Sequence, residues 1–288
     1  MLELDPSRKG VLPRDAATLV VVRDVAGGGL ETFCVERRKA GFLGGAIVFP
    51  GGKVDASDYD DRWGGSVTPP RVPRTPIASD ASAQRALAIA ACREALEEAA
   101  ILPVAGGALT HAELLGWRAH AARSDDALRS MLAAHSLQLD LASLYPFARW
   151  ITPQSESRRF DARFFLFVAS EASTGAHDGH ETTASFWGRP GEILHRFVCG
   201  ELQLAPPTHR TLEILQTARD CSDAVAIAEQ ACLEPICPQL IAHRDARGET
   251  MAIALPGDPD HLVRVARVAG KSRYVLRGDR FFPEDPPG

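Results

Sequence analysis

Three carboxylates crowd one short stretch, Arg93-Glu94-Ala95-Leu96-Glu97-Glu98. At 100° per residue, Glu94, Glu97 and Glu98 gather on one helical face while Ile89, Cys92, Leu96 and Ala99 gather on the opposite one. Like charges spaced three and four apart destabilise a helix, more so near its C-terminus, where the helix dipole disfavours anions. Two readings of such a face stay open. It is a solvated surface with Arg93 and Glu97 as an ordinary ion pair, or it holds a hard divalent cation, Mg²⁺ or Mn²⁺, which prefers carboxylate oxygens and leaves positions free for water and phosphate.

Other residues with chemical capacity lie upstream. Phe49-Pro50-Gly51-Gly52 ends a short extended run in a turn whose glycines permit close approach of another group. Arg37, Arg38 and Lys39 form a basic cluster, read either as a solvated strand end or as the positive patch that an acidic protein needs to hold a polyanion.

The elements that must position these residues follow from pattern. Ala17–Arg23 and Leu30–Glu36 read as a hairpin across a glycine-rich turn. Residues 64–80, rich in proline, glycine, serine and threonine, read as an irregular surface loop. Ser82 to about Ala100 is dense in helix formers, and 111–135 predicts one or two helices divided around Ser124-Asp125-Asp126. Strands are predicted at 147–152, 162–169 and 182–187, and helices at 190–197 and 207–219, each with proline at or near its first position. Strands flank helices in mixed order, which predicts an α/β or α+β sandwich with a small C-terminal appendage from about residue 221.

Composition narrows the classes. The 288 residues are 45% hydrophobic and 24% charged, which argues against disorder, and a net charge of −5 argues against a nucleic-acid partner. Apolar runs are far shorter than a spanning helix needs, so no membrane partner is expected. An acidic N-terminus gives no export signal, and six cysteines without a CxxC pair suit a reducing, cytoplasmic setting. His195 and Cys199, four apart, have no second pair in register and are not read as a metal site.

Gly51-Gly52-Lys53-Val54-Asp55 followed by Arg93-Glu94-Ala95-Leu96-Glu97-Glu98-Ala99-Ala100-Ile101 resembles the Nudix box, Gly-x5-Glu-x7-Arg-Glu-U-x-Glu-Glu-x-Gly-U with U aliphatic. Five residues lead from Gly52 to Asp58 at the first glutamate position, and Arg93 then lies 35 steps on instead of eight, an insertion of 27 residues. Asp58 replaces Glu, and Ala100 replaces the closing Gly, which speaks against a left-handed helix cap there. The run from Arg37 to Gly52, with Trp63, Trp150-Ile-Thr-Pro, Arg158-Arg159-Phe160-Asp161 and Pro206-Pro207-Thr208, is similar to the Nudix subgroup of peroxisomal coenzyme A diphosphatases. The chain ends Pro-Pro-Gly, without a Ser-Lys-Leu signal.

The resemblance implies an α/β/α sandwich with a mixed sheet over residues 1–220, a box insertion at about 59–83, a helical insertion at about 111–145 and an extension over 221–288. It implies Mg²⁺ or Mn²⁺ on Glu94, Glu97 and Glu98, with the Gly52 carbonyl as a further ligand and Arg93 orienting a glutamate. The general base is Glu98 or an acid from a later loop, for which Glu181 in Asp178-Gly-His-Glu is the candidate, the alternative being an exposed loop acid. Arg37, Arg38, Lys39, Phe49 and Gly51 would meet a small nucleotide-type substrate, and Arg159 either shapes the site or is structural. Coenzyme A or its acyl esters are the expected substrates, with ADP-ribose or dinucleotides, or a non-catalytic ligand sensor, as alternatives. Helices in 111–135 would cover the pantetheine arm, and a homodimer is expected from relatives.

Overall fold

The computed structural model describes residues 11–39, 44–121, 124 and 126–286. Residues 40–43 of the glycine-rich run and residue 125 of the predicted helix division therefore lie outside the described residues. Strands β1 (Arg14–Asp24) and β2 (Leu30–Arg37) form the expected antiparallel hairpin, with Val22 opposite Thr32. Its turn needs Gly27, Gly28 and Gly29, all at positive φ.

There follow β3 (Ala46–Val48), β4 (Gly51–Lys53), α1 (Ala81–Ala99), β5 (Val104–Ala105), α2 (His111–Ala121), α3 (Ala127–Ala134), β6 (Gln138–Leu139), β7 (Tyr145–Ile151) and β8 (Phe160–Val168). The chain continues with β9 (Thr182–Gly188), α4 (Pro190–Val198), β10 (Gln203–Leu204), α5 (Pro206–Leu215) and α6 (Cys221–Glu229). It closes with β11 (Gln239–Asp245), β12 (Gly248–Ala254), β13 (Arg273–Arg277) and β14 (Arg280–Glu284).

The main sheet runs β10-β3-β2-β1-β8-β7, with β4 also on β1 and β9 also on β2. It is mixed, because β1 is parallel to β8 and antiparallel to β2 and β4. Alternation along β1 sends Ala17, Leu19 and Val21 to one face and Val20 and Val22 to the other, so the sheet has a core on each side. Helix α1 with α2 and α3 covers the first face, and α4, α5 and α6 cover the second. This is an α/β/α sandwich.

Helix α1 starts on Asp80, whose carboxylate accepts the Ala83 N–H at 2.9 Å. It ends at Ala100, which takes the left-handed conformation (φ 50°, ψ 43°) against the expectation for an alanine. The bonds Ala100 N–H to Leu96 O and Ile101 N–H to Ala95 O hold that turn, at a strain of roughly 1–2 kcal/mol relative to a right-handed residue.

Three further expectations are corrected. The box insertion is more than a surface excursion, since Trp63, Val67 and Ile77 enter the core under α1. A division after residue 220 does not match the packing: α6 lays Ala224 and Ala228 against Phe147 and Trp150 of β7, and Ile253 and Tyr274 of the last sheet share that core. The order β11-β12-β13-β14 then makes a separate four-stranded antiparallel sheet that begins only at Gln239. Helix α5 stops at Leu215, short of the predicted Arg219.

Candidate active site

Along one edge β1 changes partner, from β4 at Ala16–Thr18 to β2 at Val22–Asp24. Gly51 and Gly52, expected as a turn, are instead extended in β4 opposite Thr18 and Ala17, and this strand is fastened to α1. The Gly51 N–H donates to the Glu98 carboxylate at 3.0 Å, and a methyl placed on Gly52 would fall 2.5 Å from both Glu94 carboxylate oxygens. The two segments separated by the insertion thus meet as in an unsplit box.

Arg93 is the hub of this junction. Its Nε and Nη2 donate to the two Asp58 oxygens at 3.1 Å each, Nη2 also reaches the Lys53 carbonyl at 2.9 Å, and Nη1 reaches Glu94 at 2.9 Å and Glu97 at 3.4 Å. Only a planar fork serves so many acceptors, which is why lysine would be a poor substitute. Asp58 is 1% exposed and its other bond is from the Asp55 N–H at 2.8 Å, so the aspartate fills the first-glutamate position as the register predicts. Burial lowers the Arg93 pKa, but Asp58, Glu94 and Glu97 more than offset it, so the guanidinium stays charged.

One cation does not balance these acids. Burial, reinforced by neighbouring carboxylates, pushes Glu94 up to about 7 and Glu98 up to about 8, and burial also raises Glu97. Three crowded carboxylates beside a backbone that only glycine lets approach this closely are a donor set suited to a hard divalent cation, whose charge would remove the repulsion.

A cleft of about 560 Å³ opens from this junction. Gly51, Gly52, Arg93, Glu94 and Glu97 line its acidic end with Arg37 and Glu181, while Glu98 lies just behind, 4% exposed. Arg38 and Lys39 are exposed and do not line the cleft, although the Arg38 N–H bonds the Glu181 carbonyl at 2.9 Å. Phe49 lines it and is otherwise buried. Arg159 points elsewhere, bonding the carbonyls of Thr152 and Val11, and its neighbour Arg158 takes the place on the cleft rim. The helices α2 and α3 do not reach the cleft, so they do not cover a substrate arm; they pack Trp117, Leu128 and Leu132 into the core beside α1.

Residues that pattern alone did not mark complete the site. Asp178 accepts the N–H groups of Glu181 (3.0 Å) and Thr182 (2.8 Å) and the Thr182 hydroxyl (2.7 Å), fixing the loop that carries Glu181. Burial raises the Asp178 pKa, but these bonds outweigh it and hold the carboxyl below the usual range. An Asp three residues before an acid and four before a threonine is a turn signal that could have been read. Pro238 and Ile253, which also line the cleft, carried no such signal. Among the described residues a second group of metal-type ligands, His243, Asp245 and Glu284, is spanned by Arg277, which already pairs with both carboxylates.

The NUDT19 Nudix domain model matches residues 72–215. The chain is 27% identical over 269 residues to an acyl-coenzyme A diphosphatase NUDT19 of Gallus gallus, covering 78% of this chain and 71% of that protein. It is 29% identical over 265 residues to the Homo sapiens protein of the same name, covering 77% and 69%. Among solved structures it resembles a Nudix hydrolase from Alicyclobacillus acidocaldarius with a TM-score of 0.65 and 33% identity, over 75% of this chain and 96% of that one. A split box closed by Arg93 on Asp58, on a sheet that superposes on a relative this similar, has one explanation: the chain belongs to the Nudix hydrolase family.

Proposed function

We propose that this Nudix hydrolase cleaves the diphosphate of coenzyme A or its acyl esters, giving 3′,5′-ADP and 4′-phosphopantetheine or its acyl form. The observation that carries the reading is a single cleft with two characters. Its acidic end suits a metal-held diphosphate, and it continues into an apolar compartment with Phe49, Trp150 and Phe164 on its wall, where a long uncharged arm fits. The relatives named as acyl-coenzyme A diphosphatases support the same substrate class.

Glu94, Glu97, Glu98 and the Gly52 carbonyl would hold Mg²⁺ or Mn²⁺, which when bound neutralises diphosphate charge and acidifies water. Arg93 keeps Glu94 and Glu97 aimed at the cleft while its other edge is fixed by Asp58. Arg37 meets phosphate oxygens from the β2 end, with Gly51 and Phe49 shaping the approach; Arg38 and Lys39 contribute only a long-range positive field from outside the cleft. Glu181, held by Asp178, accepts the proton of the attacking water, and Glu98 braces the start of β4 by accepting the Gly51 N–H. The water oxygen bonds to one phosphorus, the bridging P–O bond breaks, and the bridging oxygen leaves on the other phosphate.

Among the described residues no helix is long and apolar enough to cross a membrane. All six cysteines are free thiols, which suits the cytoplasmic site of action in this proposal, and a homodimer is its oligomeric state, checked by light scattering.

The test is a substrate panel of coenzyme A, acetyl-coenzyme A, ADP-ribose, NADH, diadenosine polyphosphates and nucleoside triphosphates, with Mg²⁺, Mn²⁺ or chelator. Coenzyme A species should show the highest kcat/KM. A preference above about tenfold, roughly 1.4 kcal/mol, for ADP-ribose or a dinucleotide refutes the substrate. No turnover with either metal would favour a ligand sensor.

A further inference from the structure

The start of α5 and the chain around Pro238 and Ile253 form the ceiling of the cleft. Ala162 and Phe164 of β8 and Trp150 of β7 line one part of the apolar compartment, its floor, and the rest of its wall comes from Pro206 at the start of α5, Pro238 just before the C-terminal sheet and Ile253 of β12. This ceiling is fixed at both margins. Ile236 donates to the Arg149 carbonyl at 2.8 Å and accepts from the Ile151 N–H at 2.9 Å, pinning the approach to Pro238 against β7. On the other side the Tyr274 hydroxyl lies 3.4 Å from the Pro206 carbonyl and 3.3 Å from His209 Nδ1, and Arg280 donates to the Phe197 carbonyl at 2.6 Å.

The chemistry of the ceiling selects among the parts of a nucleotide-type substrate. Pro206, Pro207 and Pro238 have no N–H, so this wall, in which Ala205 and Thr208 stand beside them, is poor in the backbone donors that recognition of a base edge would use. Neither Pro238 nor Ile253 offers charge to a phosphate. A flexible, largely apolar chain is what such a wall contacts favourably.

We propose that the wall made by the start of α5, Pro238 and Ile253 of the C-terminal sheet is the specificity wall for the acyl-bearing arm of the substrate, with Ile253 in the ceiling and Ala162 in the floor setting the chain length accepted. This rests on the coenzyme A reading above. Ala162 is half-buried and faces the compartment, so a larger side chain there takes space directly from the arm.

The test compares kcat/KM for free, acetyl-, hexanoyl- and lauroyl-coenzyme A in the wild type, Ala162→Leu and Ile253→Ala. Ratios between substrates are used because they do not depend on the fraction of enzyme that is folded. Ala162→Leu should lower the lauroyl-to-acetyl ratio at least tenfold, and Ile253→Ala should raise it at least threefold. Ratios within twofold of wild type in both variants overturn the wall while leaving the substrate reading intact. An equal loss on every chain length and on ADP-ribose overturns it too, by placing the nucleoside in the compartment. Wild-type enzyme that cleaves ADP-ribose but no coenzyme A species overturns both.

Discussion

Adjacent glycines of β4 should fail in opposite ways when each is given a methyl group. In Gly52→Ala the new carbon would lie 2.5 Å from both oxygens of the Glu94 carboxylate. An ordinary contact needs about 3.4 Å, so the carboxylate must retreat by roughly 1 Å, a displacement that costs catalysis on the order of a hundredfold. The retreating group ends a side chain at the cleft, so folding should lose little. In Gly51→Ala the methyl would instead meet the Ala17 carbonyl at 2.5 Å and the Thr18 Cα at 2.7 Å. These atoms belong to β1 and are tied into the β1–β4 ladder, so they cannot withdraw. Overpacking of about 1–3 kcal/mol is expected, lowering Tm by roughly 3–10 °C. Steady-state kinetics on coenzyme A with saturating Mg²⁺, run beside scanning calorimetry, separates the two. Gly52→Ala with more than about a third of wild-type kcat, or with as large a Tm loss as Gly51→Ala, would refute the close approach of Gly52 to Glu94 as a catalytic constraint.

The carboxylates themselves give three more tests. Glu97→Gln and Glu98→Gln should each reduce kcat at least about a hundredfold with Tm within a few degrees of wild type, since Glu97 lies at the cleft and an amide oxygen at position 98 can still accept the Gly51 N–H; near-normal turnover in both removes them from the mechanism. Glu94 and Glu98 hold protons in the folded chain that the unfolded chain releases near pH 4.5, so metal-free stability should fall as pH rises from about 4.5 toward 8. Calorimetry should show a Tm increment on adding Mg²⁺ or Mn²⁺ that is several degrees larger at pH 8 than at pH 5.5, and an increment independent of pH counts against these groups as the ligands. Asp178→Ala should free the Glu181 loop and reduce kcat about tenfold with little change in KM, measured on the preferred substrate; a purely structural Asp178 would shift Tm and leave kcat unchanged.

What the sequence discloses here is governed by how local each signal is. The α1 acids, the Arg93 partner position and the split of the box are legible because helical spacing and motif register are counted along the chain, and the Arg93–Asp58 fork follows once the register is set. The cleft wall is not legible in this way: Pro238 and Ile253 reach it only because a distant sheet folds back on α5, and no periodicity encodes that return. The same reasoning explains the misplaced helices. Residues 111–135 have the right pattern to be helical, but the side they cover depends on Trp117, Leu128 and Leu132 meeting α1. Ala100 failed by a different route, because two backbone hydrogen bonds outweighed a residue preference.

The pairing of β1 has a consequence for biosynthesis. One of its edges is covered early by β2 and β4, but the other waits for β8, whose Phe160 aligns with Arg14. That partner is made on the order of 150 residues later, which at ribosomal speeds of about 5–20 residues per second is roughly 7–30 s. During that interval Leu19, Val20, Val21 and Val22 leave the ribosome on an open, strongly β-forming edge, the kind of surface that pairs with a neighbouring nascent chain. Soluble yield should therefore depend on chaperone capacity and on translation rate more than on the stability of the finished enzyme.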